Sequence, residues 1–217
     1  MLQFTNYKKS YHQNLVLTID HLELNTAIYH LKGENGSGKS TLLETIAGII
    51  PFEGDISVNG DDSIKRNPIA FRRIINFAEA EPTFPEFLSG LDLINLFVKG
   101  KKAPTGQAEQ LIEKINIGDF MDHPIANYSS GMIKKLSLVL AFIGNPKWIL
   151  LDEPLNTLDR TSRELLFRLI RQYHTQFNTG FLISSHQDLD EAMMTTHRTI
   201  SIDDHHLIIH AHEPKGL

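Results

Sequence analysis

Gly33-Glu34-Asn35-Gly36-Ser37-Gly38-Lys39-Ser40-Thr41 follows a short apolar run, Ala27 to Leu31, and leads into Leu42 to Ile49, which has helical character. A strand, a glycine-rich loop of the pattern G-x-x-x-x-G-K-[ST] and a helix, in that order, predict a phosphate site rather than an ordinary turn. Glycines let the backbone turn sharply and aim successive N–H groups inward as a nest for anions. The unpaired N–H groups and positive dipole end of the following helix add to that field. In such a loop Lys39 reaches the β- and γ-phosphates of a nucleotide and the Ser40 hydroxyl binds Mg²⁺.

Around that loop lies a chain of ordinary globular composition. Its 217 residues suffice for one large domain or a domain with a subdomain, 41% of them hydrophobic and 22% charged. A net charge of -5 gives no general attraction to nucleic acid or anionic lipid. With no cysteine, disulfides and thiolate metal sites are excluded, which suits a reducing cytosol. Met1 to Tyr11 is polar and lacks the apolar core of a signal peptide. No stretch approaches the roughly 18 apolar residues of a membrane span.

Upstream of the loop, Leu15 to Ile19 and Leu22 to Leu24 alternate as half-buried strands do. Tyr11 reads equally as an edge-strand aromatic or as a stacking surface for adenine, with Tyr7 a weaker competitor. Downstream, Gly54 to Gly60 reads as a strand closed by a turn, and Ile74 to Ala78 as another. Pro82 and Pro85 then punctuate a loop before a helical segment, Leu91 to Phe97. Lys99 to Gly106 reads as a polar loop, its lysines 99, 101 and 102 solvated rather than binding nucleic acid, and Leu111, Ile112 and Ile115 recur at helical spacing. Residues of about 80 to 145 are thus expected to be a mostly helical insertion between strands of one parallel sheet.

Trp148-Ile149-Leu150-Leu151 is an unbroken apolar run, the pattern of a strand covered on both faces. Doubly wound sheets place their ligands at the carboxyl ends of such strands. Asp152 at that edge is expected to hold Mg²⁺, and Glu153 to orient or deprotonate the attacking water. Thr161 to Tyr173 reads as an amphipathic helix and Phe181 to Ser185 as a further buried strand, putting His186 at the same edge. Thr199 to Ile202 and Leu207 to Ile209 close the chain as two short strands around Asp203-Asp204. The histidines near the carboxyl end, 205, 206, 210 and 212, match no metal-ligand spacing.

Taken with Asn127-Tyr128-Ser129-Ser130-Gly131-Met132, a serine-capped helix start upstream of Asp152-Glu153, these stations resemble the ATP-binding subunit of an ATP-binding-cassette (ABC) transporter. The resemblance covers essentially the whole chain. It implies an α/β, P-loop NTPase fold of ABC type: a mainly parallel core sheet with flanking helices, an N-terminal antiparallel β subdomain and a helical signature subdomain. A single domain, 1–217, would have its catalytic core at about 1–79 and 146–217 and its helical part at about 80–145.

The same resemblance makes the protein an Mg-dependent ATPase. It implies that Gly33 to Thr41 is Walker A, Tyr11 the adenine-stacking aromatic, Asp152 the Walker B aspartate, Glu153 the catalytic glutamate and His186 the switch histidine at the γ-phosphate. Asp159 would lie in the D-loop touching a partner, and Ser129 to Met132 would close over ATP held by the other subunit of a head-to-tail homodimer or heterodimer. Its partners would be transmembrane permease subunits on a separate chain, and its place the cytoplasmic face of the membrane.

One station departs from the family pattern. A glutamine usually follows the strand that ends near Ala78; here the chain reads Glu79-Ala80-Glu81, so Glu79 or Glu81 would supply the oxygen for Mg²⁺. The permease contact is expected around Phe84, Phe87, Leu88 and Leu91, unless these side chains pack the helical part itself. Two alternatives to a transport ATPase stand: a clamp acting on a macromolecular complex, and a regulatory module that closes on ATP without turnover.

Overall fold

The computed structural model describes residues 1–186 and 197–210. Apolar runs flanked by polar residues become strands buried on both faces. β3 (Ile28–Lys32), β7 (Trp148–Asp152) and β8 (Gly180–Ser184) lie parallel, with β8 in the middle, and every residue of β7 and β8 is buried. β6 (Ile75–Ala78) adds parallel outside β7, and β9 (His197–Asp203) parallel outside β3. Side chains alternate between the faces. Ile149, Leu151 and Ile183 enter one hydrophobic core, Trp148, Leu150 and Leu182 the other.

The first core is closed by helices: α3 (Gly90–Lys101), α4 (Gln107–Ile115), α5 (Ser130–Phe142) and α6 (Arg160–Phe177). The second is closed by α1 (Lys39–Ala47) and an antiparallel group, β1 (Leu2–Tyr11), β2 (Asn14–Leu24) and β4 (Glu53–Val58). Through β10 (His206–Ile209) and the short β5 (Asp62–Ser63), ten strands among the described residues make one sheet in the order β5-β4-β1-β2-β10-β9-β3-β8-β7-β6.

Two expectations are corrected and two unforeseen elements appear. Leu15 to Leu24 is one strand, because β1 pairs along it from Tyr11↔Asn14 to Leu2↔Leu24 while Asp20 and His21 face solvent. The polar-looking start of the chain is itself β1, with Leu2, Phe4 and Tyr7 fully buried. A helix, α2 (Pro68–Ile74), precedes β6; Asn67 caps it by accepting from Ala70 N, and Pro68 supplies a φ suited to its first turn. Finally, α3 continues through Lys101. That side chain is no solvated loop lysine: it donates to Arg72 O and, at 2.7 Å, to Ile75 O, tying α3 to the start of β6.

Candidate functional site

The glycine-rich loop closes on its own lysine. Lys39 Nζ donates to Gly33 O at 2.8 Å and Glu34 O at 2.9 Å, which holds the ammonium over the loop. Gly36 and Gly38 take φ values of +82° and +103°, the region that favours glycine. A Cβ on Gly38 would lie 2.7 Å from Val16 Cγ1, so β2 packs hard against the loop; one on Gly36 would meet nothing within 4 Å. The loop is therefore wedged on one side and open on the other. The earliest bond of α1 is Leu42 N to Gly38 O, leaving the N–H groups of Lys39, Ser40 and Thr41 without intrahelical partners. Glu34, Asn35 and Ser40 are exposed, while Ser37 Oγ is buried with no hydrogen-bond partner among the described residues. A cradle of unspent donors under an ammonium fits a polyphosphate.

The facing wall is the end of β7. Asp152 is 3% exposed, and the Ser184 hydroxyl donates to its Oδ1. The same hydroxyl accepts from Glu153 N at 3.1 Å, so one serine on β8 fixes both acidic positions. Glu153 sits at φ +42°, a conformation that side chains rarely adopt and that clusters at functional sites. Its Oε1 lies 3.2 Å from His186 Nε2, a contact too poorly aligned to be a hydrogen bond, and has no other polar partner among the described residues. His186 is about half exposed. An acceptor oxygen buried beside an exposed imidazole suits a bound water.

Glu79 follows β6, whose register pairs Ala78 with Leu151, so Glu79 stands level with Asp152. Its exposed side chain and Asp152 both act on Glu44 of α1; burial, then these two negative charges, push the Glu44 carboxyl above its usual range. No three acidic or histidine side chains among the described residues converge closely enough to hold a metal ion by themselves, so a divalent cation beside the glycine-rich loop would take one or two protein oxygens and complete its shell with phosphate and water. Tyr7 is removed from contention for stacking: it is fully buried, its hydroxyl meets Thr45 Oγ1 at 3.0 Å, and burial pushes it up to about 12. Tyr11 keeps an exposed ring at the hairpin end, separated by a two-residue turn from β2, whose Val16 packs on the glycine-rich loop, and Lys9 Nζ lies 4.4 Å from its centroid.

On the helical side, Ser129 caps α5 by accepting from Met132 N at 3.3 Å. Ser129 and Ser130 are exposed, Gly131 and Met132 half-buried. A Cβ on Gly131 would lie 3.6 Å from Thr157 O, and Lys135 Nζ stands 3.5 Å from Asp159, so the turn and the 157–159 segment are neighbours. Asp159 is also the cap of α6, accepting from Ser162 N at 2.8 Å. Of the apolar loop residues, Phe84, Leu88 and Leu91 pack against the helical core while Phe87 is 83% exposed.

Sequence reasoning passed over Ser184, Glu44 and Lys134. Ser184 carries the same signal as Asp152, a polar residue ending an all-apolar run. Glu44 and Lys134 have no such mark, since each reads as the polar face of a helix.

With this geometry in view, likeness to known proteins becomes informative. A family model described as ABC transporter matches residues 18–156. The lipoprotein-releasing system ATP-binding protein LolD of Shewanella sp. (strain MR-7) is 29% identical, covering 92% of this chain and 93% of its own. The lantibiotic transport ATP-binding protein SrtF of Streptococcus pyogenes is 29% identical over 86% and 80%. A solved ATP-binding subunit of an ABC transporter superposes with a TM-score of 0.85 at 23% identity, over 95% of this chain and 88% of that one. A dimeric ATP-binding cassette in a post-hydrolysis state, bound to ADP and phosphate, does so with a TM-score of 0.83 at 20% identity over the whole of both. The chain belongs to the ABC transporter family, with its P-loop α/β fold, and is an ATPase of that family.

Proposed function

We propose that this chain powers a membrane permease carried on a separate chain, from the cytoplasmic face, by closing head to tail with a second ATPase subunit over two ATP molecules. The observation that carries the reading is the exposed, serine-capped start of α5 beside residues 157–159. A helix start with unspent N–H groups at the surface suits a nucleotide held by another subunit. No helix among the described residues is long and apolar enough to cross a membrane, which agrees with a permease on another chain.

In this reading Lys39 leaves the Gly33 and Glu34 carbonyls for the β- and γ-phosphates, and Gly33 to Thr41 wrap them. Ser40 and Asp152 hold Mg²⁺, with Glu79 as a further oxygen. The ion supplies neutralisation of phosphate charge; positioning does most of the rest. Glu153 orients or deprotonates the attacking water, His186 contacts the γ-phosphate, Tyr11 stacks on adenine, and Ser129 to Met132 with Asp159 meet the partner's side. ATP favours the closed dimer by its anionic bridges, and cleavage removes them.

The permease contact belongs in the cavity of about 290 Å³ between the end of α1 and α3, lined by Ile49, Phe77, Phe84, Phe97 and Leu140 with Lys101 at its side. Its largely apolar lining suits an apolar helix of the permease. In this reading residues of about 80–145 form the helical part, packed through one hydrophobic cluster that also takes in Ile149, Leu151, Phe181 and Ile183 of the core sheet.

Glu153→Gln tests the mechanism. ATP affinity should stay within about threefold of wild type while turnover falls at least about 100-fold and an ATP-dependent dimer accumulates on size exclusion. Hydrolysis at the wild-type rate would remove Glu153 from its role; absence of an ATP-dependent dimer would remove the closing step.

A further inference from the structure

Lys134 is 2% exposed, one helical turn past Ser130, and forms no side-chain ion pair among the described residues. Its ammonium instead donates to three main-chain carbonyls: Glu79 O at 2.8 Å, Ala80 O at 3.0 Å and Asp152 O at 3.2 Å. An ammonium has three N–H groups, and all three are used. The acceptors come from two separate elements, the segment leaving β6 and the carboxyl end of β7. Three carbonyl oxygens converging in a buried spot would repel one another and lack water if the donor were absent. Burial pushes the Lys134 ammonium down to about 8, partly offset by the negative charges of Asp152, Glu153 and Glu81.

We propose that Lys134 is a positioning residue for hydrolysis: it pins the segment of Glu79 and Ala80 to the main chain of Asp152, and so sets the height of Glu153 and of the Glu79 side chain relative to the phosphate loop. The inference rests on the ATPase mechanism above. It assigns Lys134 no contact with nucleotide or with reacting atoms. A helix that starts at the partner-facing turn thus reaches, one turn later, into the subunit's own acidic edge. A lysine does this where a neutral side chain would bring fewer donors and no charge to offset three carboxylates.

The test compares Lys134→Met, Lys134→Gln and Lys134→Arg in the full-length chain. Steady-state hydrolysis should show kcat lowered at least about tenfold in the Met and Gln variants with KM for ATP within about threefold, since the phosphate loop is untouched. Arginine keeps charge and several donors and should recover most of kcat. Hydrogen exchange supplies a readout that needs no turnover: the Glu153 amide, held by Ser184, and the amides of 79–81 should exchange at least about tenfold faster in the Met and Gln variants, with protection in α1 unchanged. Wild-type kcat with wild-type protection in the Gln variant overturns the proposal. So does a loss of ATP affinity matching the loss of kcat, or failure of all three variants to fold, either of which makes Lys134 a general core residue. Lack of hydrolysis by the wild type would count against the ATPase mechanism, and the exchange comparison would still decide whether Lys134 is the tether.

Discussion

Two lysines are buried near the acidic edge of the sheet, and both donate to main-chain carbonyls, yet they are built in opposite ways. Lys39 folds back on acceptors five and six residues away in its own loop. Lys134 draws together acceptors 55, 54 and 18 residues away. The first arrangement is local, next to an open face of the loop, and can be exchanged for phosphate oxygens. The second ties separate elements, the segment leaving β6 and the end of β7. One cation is poised to move, the other to hold.

The largest effect expected from this contrast falls on Lys39. Lys39→Ala should lower ATP affinity at least about 100-fold, measured by fluorescent nucleotide titration, with the unfolding midpoint hardly changed, because water can reach the released carbonyls. A fall in stability equal to that of Lys134→Met would erase the distinction.

Ser184→Ala tests the immobile side from β8. It leaves buried Asp152 Oδ1 short of a partner and Glu153 N with Ser184 O alone, at 3.2 Å, and should cost about 1–3 kcal/mol in denaturant unfolding while lowering kcat more than it raises KM. An unchanged stability would mean that the hydroxyl is replaced by water and fixes nothing.

A third lysine gives the smallest effect. Burial alone pushes Lys101 down to about 8 from its ordinary 10.5. Between those values the unfolded chain binds more protons than the folded one, so stability rises with pH there; the penalty is complete below about 8 and fades toward 10.5. Relative to Lys101→Met, the wild type should therefore gain on the order of 1 kcal/mol between pH 7.5 and 9.5, discounted for its partial exposure. A pH-independent difference would show that the charge is solvated after all.

The same division between local and long-range interactions separates what could be read from the chain and what could not. β3, β7 and β8 were legible because strands covered on both faces must be apolar throughout. The cap at Ser129 was legible because a serine ahead of an apolar helix has one cheap use. β1 was hidden: Leu2 and Phe4 alternate with polar residues, but Tyr7 falls out of that period because the strand shifts register against β4 between Thr5 and Lys8, where Asn6 takes a φ of +49°. α2 was hidden because seven residues are too few to show helical periodicity, and α3 outran its apolar stretch because Lys101 found carbonyl acceptors on another element.

By itself the sequence determined the glycine-rich loop between strand and helix, the acidic strand end and the family, since each of these rests on neighbours in the chain and on residue types with few other uses. Only the tertiary structure decided which tyrosine keeps an exposed ring, that Ser184 holds Asp152 and Glu153 together, and that a helix-face lysine at 134 is an internal tie. Burial and hydrogen-bond partners belong to pairs of distant segments, and no single segment carries a record of them.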